Sequence, residues 1–226
     1  MFPRLFGLLA LLIATSAFAF SLDDLSNRDA SGGLKEALGQ GATKAVDMLG
    51  KPDGFLGNPK VKIPLPESLQ KVEGMMRTFG MGKYADELET SMNRAAEAAV
   101  PEAKALLVNS IKQMSVEDAK GILTGGDDAA TQYFKRTTSA PLGDKFKPIV
   151  KTAMEKVKLA EKYDQFAGKA AKYGLVKEAD THLDSYVTSK ALDGLYLMIA
   201  EEEKNIRTNP VGAAGSLAKK VFGLLK

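Results

Sequence analysis

The sequence predicts an all-α fold, and three observations support this prediction. Apolar residues recur at steps of three and four along most of the chain, which is the period of an amphipathic helix. Glycine, proline and capping residues fall at intervals that suit helices rather than strands. The one strand-like pattern, at 60–63, is too short to found a sheet. We expect a single compact domain of about eight or nine helices over residues 20–226.

The first half of the chain is predicted to form helices around one loop. A helix over 31–49 begins at Ser31 as N-cap and stops at Gly50. Residues 50–66 contain four Pro and three Gly, which no helix interior tolerates, so we expect an ordered loop or a short hairpin. Its apolar residues predict that it packs on the helices. The next helices are predicted over 66–80, 83–100 and 105–114, with Pro101 either kinking the second of these or opening the third.

The second half carries clearer boundary signals. Ser115-Val-Glu-Asp118 resembles a capping box, which starts a short helix that stops after Thr124. Asp127 or Asp128 then caps a helix that runs through Thr138. The remaining predicted helices are an amphipathic stretch over 142–167 that crosses Pro148, a long helix over 183–207 and a short helix over 211–226.

The composition excludes most familiar catalytic and metal sites. The 226 residues contain no Cys, no Trp and one His, so the chain builds no disulfide, thiolate nucleophile or zinc site of the usual spacing. Hydrophobic residues make up 45% of the chain, which is typical of a globular protein. The formal net charge of +3 gives no broad electrostatic reason to expect nucleic acid as a partner. We predict no cofactor and no metal site.

The first residues resemble an export signal. An apolar run at 5–14 precedes the small-x-small triplet Ala-Phe-Ala at 17–19, where signal peptidase cuts. The run is shorter than the roughly 20 residues of a bilayer-spanning helix, although an uncleaved anchor remains the alternative. We expect a signal peptide over 1–19 and an exported, periplasmic protein. Because the chain has no Cys, we do not expect a lipoprotein.

Glu202 is the most informative charged residue. On a helix it falls within about 20° of the centre of the apolar stripe set by Leu195, so its carboxylate is at least partly buried. A buried carboxylate needs a cationic partner, a hydrogen-bonded network or a water-filled cleft. It therefore either pins helix packing through an ion pair or faces a ligand. The candidate partners are Arg77, Arg94, Arg136 and Arg207.

Two aspartates could join Glu202 in a catalytic site. Asp184 shares the stripe of Glu202, and Asp164 interrupts the stripe of the preceding long helix. If the three carboxylates converged, they could hold a divalent cation or act as an acid and base pair. The helix dipole explains Asp184 more simply, because this residue lies near a predicted helix start.

A second set of polar residues forms a candidate ligand-binding site. Asn93, Arg94 and Glu97 lie in an Ala-rich helix, where small side chains let another backbone approach. Tyr133 and Arg136 lie on a helix with a narrow apolar face and suit an anionic or carboxylate group. The Tyr133 and Arg136 set either meets Glu97 or Glu202 in one polar cluster or stays apart from them. For Asn93, Arg94 and Glu97 the alternative is a surface pair.

Eight segments in chain order carry a family resemblance. They are GLKEAL (33–38), DGFLGNPKVKIPLP (53–66), MNRAAEAA (92–99), IKQMSVEDAKGILTG (111–125), AATQYFKRTT (129–138), VTSKALDGL (187–195), IAEEEKNIRTNP (199–210) and KKVFG (219–223). Together they resemble a bacterial family known as domain of unknown function 4197. The resemblance implies an exported, mostly helical, single-domain protein and offers no catalytic residues.

Three functions remain open from the sequence. We favour a non-enzymatic binding or interaction module of the cell envelope, whose partner is a small anionic ligand or an envelope protein. The first alternative is a hydrolase or lyase that uses Glu202 with a second carboxylate and Arg136 as an anion clamp. The second is membrane-surface association, because residues 145–177 hold nine Lys against three acidic residues on an amphipathic helix. We favour a solvated lysine face over lipid contact.

Overall fold

The computed structural model describes residues 27–80, 82–156, 160–161, 163–164 and 182–209. Within them every element with defined bounds is helical, and no strand occurs. The predicted signal peptide and the predicted helix at 211–226 lie outside these residues. The α-helices are α1 (Asn27–Leu49), α2 (Glu67–Thr78), α3 (Gly82–Ala99), α4 (Ala103–Gln113), α5 (Val116–Thr124), α6 (Ala129–Met154) and α7 (Leu183–Thr208).

The all-α fold class is confirmed, and these helices form one compact domain. The expected count of eight or nine helices is not confirmed, since seven α-helices have defined bounds in the part of the chain that is described. A 3-10 turn, Val100–Glu102, joins α3 to α4, and Pro101 lies within it. Pro101 therefore does not kink α3; it lies in the 3-10 turn that leads directly into α4, which is close to the second alternative. Proline suits this position because its missing N–H is not needed at the start of a helix.

The core lies around the pair α6 and α7, which make the most extensive contact of any two helices described. Helix α3 packs on both of them, and α1 lies against α7 and α4. Phe134 and Phe146 of α6 and Leu195 of α7 are fully buried at this centre. Each such side chain contributes about 1.5–3 kcal/mol through burial. These contacts fix α1 and α7 side by side, which positions the site described below.

The loop at 50–66 is ordered and packs on the helices, as predicted. Phe55 and Ile63 are fully buried. The segment contains no strand, so it forms an ordered loop and not a short hairpin. Gly194 makes this packing possible, because a Cβ atom there would lie 2.8 Å from Cε1 of Phe55 and 3.3 Å from Cβ of Val61. Asp53 adopts a left-handed backbone conformation with φ of 64°.

The predicted capping box at the start of α5 is confirmed. The Ser115 hydroxyl accepts a hydrogen bond from the Asp118 N–H at 3.0 Å. The Asp118 carboxylate in turn accepts from the Ser115 N–H at 3.2 Å. The motif forms as expected because all four residues are adjacent in the sequence, so tertiary packing is not needed to bring them together.

The predicted helix end at Thr138 is wrong, because α6 continues without a break from Ala129 to Met154. Pro141 and Pro148 both lie inside this helix. Each proline removes one backbone hydrogen bond, which ordinarily kinks or ends a helix. Leu142 and Val150 are nevertheless fully buried in the core. Packing of this continuous apolar face outweighs the lost hydrogen bonds.

The predicted capping of α6 by an aspartate side chain is also wrong, although an aspartate is at the N-cap. Asp128 occupies the N-cap position, but its side chain makes no capping hydrogen bond. It accepts a hydrogen bond from the Gln132 side chain at 2.8 Å instead. The cap comes from α7, as described below.

Helices long and apolar enough to cross a membrane are absent from the described ranges.

Candidate functional site

Glu202 lies in a cleft between α1 and α7. The two helices approach closely here because Gly41 of α1 has no side chain. A Cβ atom at Gly41 would lie 3.2 Å from Cδ1 of Ile206 and 3.6 Å from Cβ of Glu202. The cleft has a volume of about 380 Å³. Its lining residues are Gln40, Gly41, Lys44, Glu202, Asn205, Ile206, Thr208 and Asn209.

The charged pair in this cleft is asymmetric in burial. Nζ of Lys44 lies 2.8 Å from Oε2 of Glu202, and the Glu202 side chain is only 9% exposed, whereas that of Lys44 is 60% exposed. The ammonium group of Lys44 therefore neutralises a carboxylate that the fold almost encloses. Burial of Glu202, which its helical phase predicts, is confirmed.

One oxygen of Glu202 is left open. Oε1 accepts no hydrogen bond from any residue that the structure describes, whereas Oε2 accepts from Lys44. In the same residues, the only fully enclosed side-chain oxygen or nitrogen without a partner is Oγ1 of Thr188. Oε1 of Glu202 is therefore accessible from the cleft. It is a charged acceptor held at the wall of a small polar space.

The end of α7 adds to the negative potential of the cleft. Asn205, Thr208 and Asn209 belong to its last turn and its C-cap. The carbonyl groups at a helix C-terminus carry a partial negative charge because they lack intrahelical partners. The N–H of Asn209 donates to the carbonyl of Asn205 at 2.9 Å, which closes the last turn. The cleft thus combines Glu202, a helix C-terminus and neutral amide groups with one cation, Lys44.

The predicted arginine partners of Glu202 are wrong, because Lys44 is its partner. All four arginines pair with other carboxylates. Arg77 binds Glu73 and Asp86, Arg94 binds Asp53 and Glu97, Arg136 binds Asp118, and Arg207 binds Glu203. Gly41, one turn before Lys44, is the sequence signal for the close approach of α1, although it does not reveal which helix approaches.

Glu203, which the sequence reasoning missed, is a buried carboxylate that caps α6. Its Oε1 accepts from the N–H of Ala130, and its Oε2 accepts from the N–H and hydroxyl of Thr131, each at 2.9 Å. Arg207 donates to Oε1 at 2.8 Å and to the carbonyl of Ile122 at the same distance. The run of three glutamates at 201–203 is the signal that was available, because one helix face cannot expose all three.

Asn93 and Glu97 hold the loop at 50–66 against α3. Oδ1 of Asn93 accepts from the N–H of Ile63 at 2.8 Å, and Nδ2 donates to the carbonyl of Ile63 at 2.9 Å. Oε1 of Glu97 accepts from the N–H of Phe55 at 3.0 Å and of Leu56 at 3.1 Å. Both side chains are thus occupied by the protein's own backbone.

Arg94 completes this arrangement at the surface. Its guanidinium donates to Oε2 of Glu97 at 2.6 Å and to Oδ1 of Asp53 at 2.8 Å. These contacts raise the pKa of Arg94, the hydrogen bond to Glu97 being the largest cause. The contacts of Asn93, Arg94 and Glu97 therefore hold the loop.

Tyr133 and Arg136 lie elsewhere and do not join Glu97 or Glu202. The Tyr133 hydroxyl donates to the carbonyl of Ser110 at 2.8 Å. Arg136 donates to the capping-box carboxylate of Asp118 at 3.0 Å, and its guanidinium lies 5.4 Å from the centre of the Tyr133 ring. These residues join α4, α5 and α6, so of the two alternatives the single polar cluster is the one that does not form.

The three candidate catalytic carboxylates do not converge. Asp184 and Glu202 lie eighteen residues apart on α7, which corresponds to about 27 Å. Asp164 and Asp184 line a separate cleft of about 560 Å³ with His182. Among the residues whose placement is described, no three His, Asp or Glu side chains lie close enough to hold a metal ion.

Asp164 has a capping role in its own cleft. Its Oδ1 accepts from the N–H of Leu183, the first residue of α7, at 3.0 Å. Nδ1 of His182 lies 4.0 Å from its Oδ2. Burial raises the pKa of the Asp164 carboxyl, although the hydrogen bond from Leu183 and the proximity of His182 oppose the rise. His182 occupies the N-cap position of α7 but makes no side-chain capping bond.

Comparison with known proteins gives one match over most of the chain. The model of a family described as "Protein of unknown function (DUF4197)" matches residues 24–223. A phosphoglycerate kinase of Penicillium citrinum is 32% identical over 114 residues, which is 49% of this chain and 27% of the kinase. The chain thus spans about a quarter of the length of that kinase. No solved structure matches the chain.

Proposed function

The chain belongs to the family described as "Protein of unknown function (DUF4197)", and because that description gives no activity, we propose a function from the site itself. The protein is a non-enzymatic binding module that holds a small polar ligand in the cleft between α1 and α7. Glu202 and Lys44 are its charged contacts.

The open Oε1 of Glu202 carries this proposal. A carboxylate at 9% exposure has lost most of its contact with water, and only one of its oxygens is compensated by Lys44. A ligand that donates to Oε1 replaces solvent there with a charge-assisted hydrogen bond. The cleft volume of about 380 Å³ lies within the range of about 300–1,000 Å³ that is usual for small-molecule sites.

The composition of the cleft favours binding over catalysis. Of the described residues that line the cleft, only Glu202 and Lys44 have titratable side chains, and these two already neutralise each other. Hydrolysis or elimination by two carboxylates requires a second acid or base near the first. Asp164, Asp184 and Arg136 are each placed elsewhere, so the hydrolase or lyase alternative lacks its second group.

We propose the periplasm as the place where this binding occurs, from the signal-like residues 1–19. Osmotic-shock fractionation of cells that produce the full chain tests the location. Release of a shortened protein into the periplasmic fraction is the expected result, and a full-length protein that stays in the spheroplasts contradicts it.

A thermal-shift screen of small polar compounds tests the binding function. We expect at least one compound to raise the melting temperature of the wild type and to have no effect on Glu202→Gln. Glu201→Gln is the matched control, because Glu201 is the adjacent carboxylate but pairs with Lys60 outside the cleft. A compound that stabilises wild type and Glu202→Gln equally binds outside the cleft and contradicts the proposal.

A further inference from the structure

The charges of the α1–α7 cleft also define the class of ligand, an inference that rests on the proposed function. We propose that the cleft binds a small zwitterion with an ammonium and a carboxylate on the same carbon atom, as in a free α-amino acid. The ammonium lies against Glu202 and the carboxylate against Lys44.

The ammonium end is set by Glu202 and the end of α7. Oε1 of Glu202 is the open acceptor, and its side chain is 9% exposed, so the charge is poorly screened by water. Asn205, in the last turn of α7, and Asn209, at its C-cap, line the same space. A cation is favoured near a helix C-terminus. These two features attract the same end of the ligand.

The carboxylate end is set by Lys44. Its ammonium has three N–H donors, and the described structure shows one acceptor for them, Oε2 of Glu202 at 2.8 Å. The side chain is 60% exposed, so its remaining donors are accessible. Because Lys44 and Glu202 touch, the ligand charges that face them must also be close together. This spacing selects a compact zwitterion over a molecule with distant charges.

Other ligand classes fit this lining less well. A simple anion gains Lys44 but meets the negative charge of Glu202, and a simple cation gains Glu202 but meets Lys44. Among the described residues that line the cleft there is no aromatic ring, so they offer a sugar no flat apolar surface for its C–H face. A zwitterion therefore fits the cleft better than the small anion expected from the sequence, because Lys44 is already paired with the buried carboxylate of Glu202.

An NMR titration of the protein without residues 1–19 tests this ligand class. Four compound pools are used: natural α-amino acids, their carboxamides, their N-acetyl derivatives and neutral monosaccharides. The amino-acid pool is expected to give saturable shifts at the amides of Gln40, Lys44 and Asn205. Each capped pool loses one charge of the pair, so we expect binding at least about tenfold weaker.

The outcomes separate this inference from the proposed function. If the carboxamide, N-acetyl or sugar pool shifts the cleft amides more strongly than the amino acids do, the ligand class is wrong and the binding function stands. If no pool shifts these amides, both are overturned.

Lys44→Gln provides a second test with its own signature. This change removes the carboxylate contact and leaves Glu202 uncompensated, so the preference is expected to shift from amino acids toward their cationic carboxamides. Lys104→Gln is the control, because Lys104 pairs with Asp47 at the surface outside the cleft. An unchanged order of the pools in Lys44→Gln, with folding confirmed by circular dichroism, overturns the assignment of the carboxylate end.

Discussion

Glu202 and Glu203 are adjacent on α7 but contact different helices, α1 and α6 respectively. Glu203 is 3% exposed and accepts five hydrogen bonds, three from Ala130 and Thr131 at the N-terminus of α6 and two from the guanidinium of Arg207. Glu202 faces α1 and keeps one oxygen open to a cleft. The Glu203 carboxylate therefore stabilises the fold, and the Glu202 carboxylate is available to bind a ligand.

Replacing Glu203 is expected to destabilise the protein strongly. Glu203→Gln leaves Arg207 without its buried anion and places an amide group against backbone donors, so we expect a loss of about 3 kcal/mol in the free energy of unfolding. Glu202→Gln is the matched comparison and should cost less than about 1 kcal/mol, because its partner Lys44 is exposed to water. Urea unfolding of both variants measures the difference, and equal losses would contradict the division of roles.

Asn93 should control the order of the loop at 50–66. Asn93→Ala leaves the N–H and carbonyl of Ile63 without partners in a buried place, which costs about 1–3 kcal/mol. Hydrogen exchange at the Ile63 amide is expected to accelerate more than exchange in α6. Ser91→Ala on the same helix is the control and should leave that amide protected. Slow exchange at Ile63 in Asn93→Ala would show that the loop does not depend on this side chain.

Replacing either of two glycines by alanine should change the stability of the protein, in opposite directions for the two positions. Gly194→Ala places a methyl group 2.8 Å from the ring of Phe55, which requires the loop to move and costs about 1–3 kcal/mol. Gly143→Ala in α6 meets nothing within 4 Å and should stabilise the protein by about 0.5–1 kcal/mol through helix propensity. Differential scanning calorimetry reports both. A stabilising Gly194→Ala would contradict the close contact between α7 and the loop.

Asp164 should make stability depend on pH. Its pKa is raised by burial, so its contribution to stability is fully present below the pKa of an unfolded aspartate, about 3.9, and is lost as the pH rises through the folded pKa. Asp164→Asn keeps the acceptor for Leu183 without the charge. We expect this variant to be more stable than the wild type at pH 7, with the advantage shrinking toward pH 4. An advantage that grows on acidification would contradict the sign of the shift.

Local signals in the sequence were sufficient for the fold class and several boundaries. The capping box at Ser115 and Asp118 and the stop of α1 before Gly50 depend on neighbouring residues, so they can be recognised without a partner helix. The continuity of α6 through Pro141 could not be recognised in this way. It depends on burial of Leu142 and Val150 against other helices, which overrides the local preference of proline.

In the candidate site, too, the sequence predicts what depends on one helix and not what depends on the packing of two helices. Burial of Glu202 follows from its angular position on a single helix, so the sequence could predict it. Its partner Lys44 depends on how α1 and α7 lie side by side, and charge alone does not distinguish it from the arginines considered. The sequence marks Asn93 and Glu97 as candidate ligand-binding residues, whereas their role in holding a loop depends on the path of the backbone between Phe55 and Ile63.

A crystal structure of the protein grown with the amino-acid pool tests the central claim most directly. The account predicts density in the cleft between α1 and α7, with an ammonium group at hydrogen-bond distance from Oε1 of Glu202 and a carboxylate at Nζ of Lys44. An empty cleft at saturating concentration, or a molecule bound only in the separate cleft beside Asp164, would contradict it.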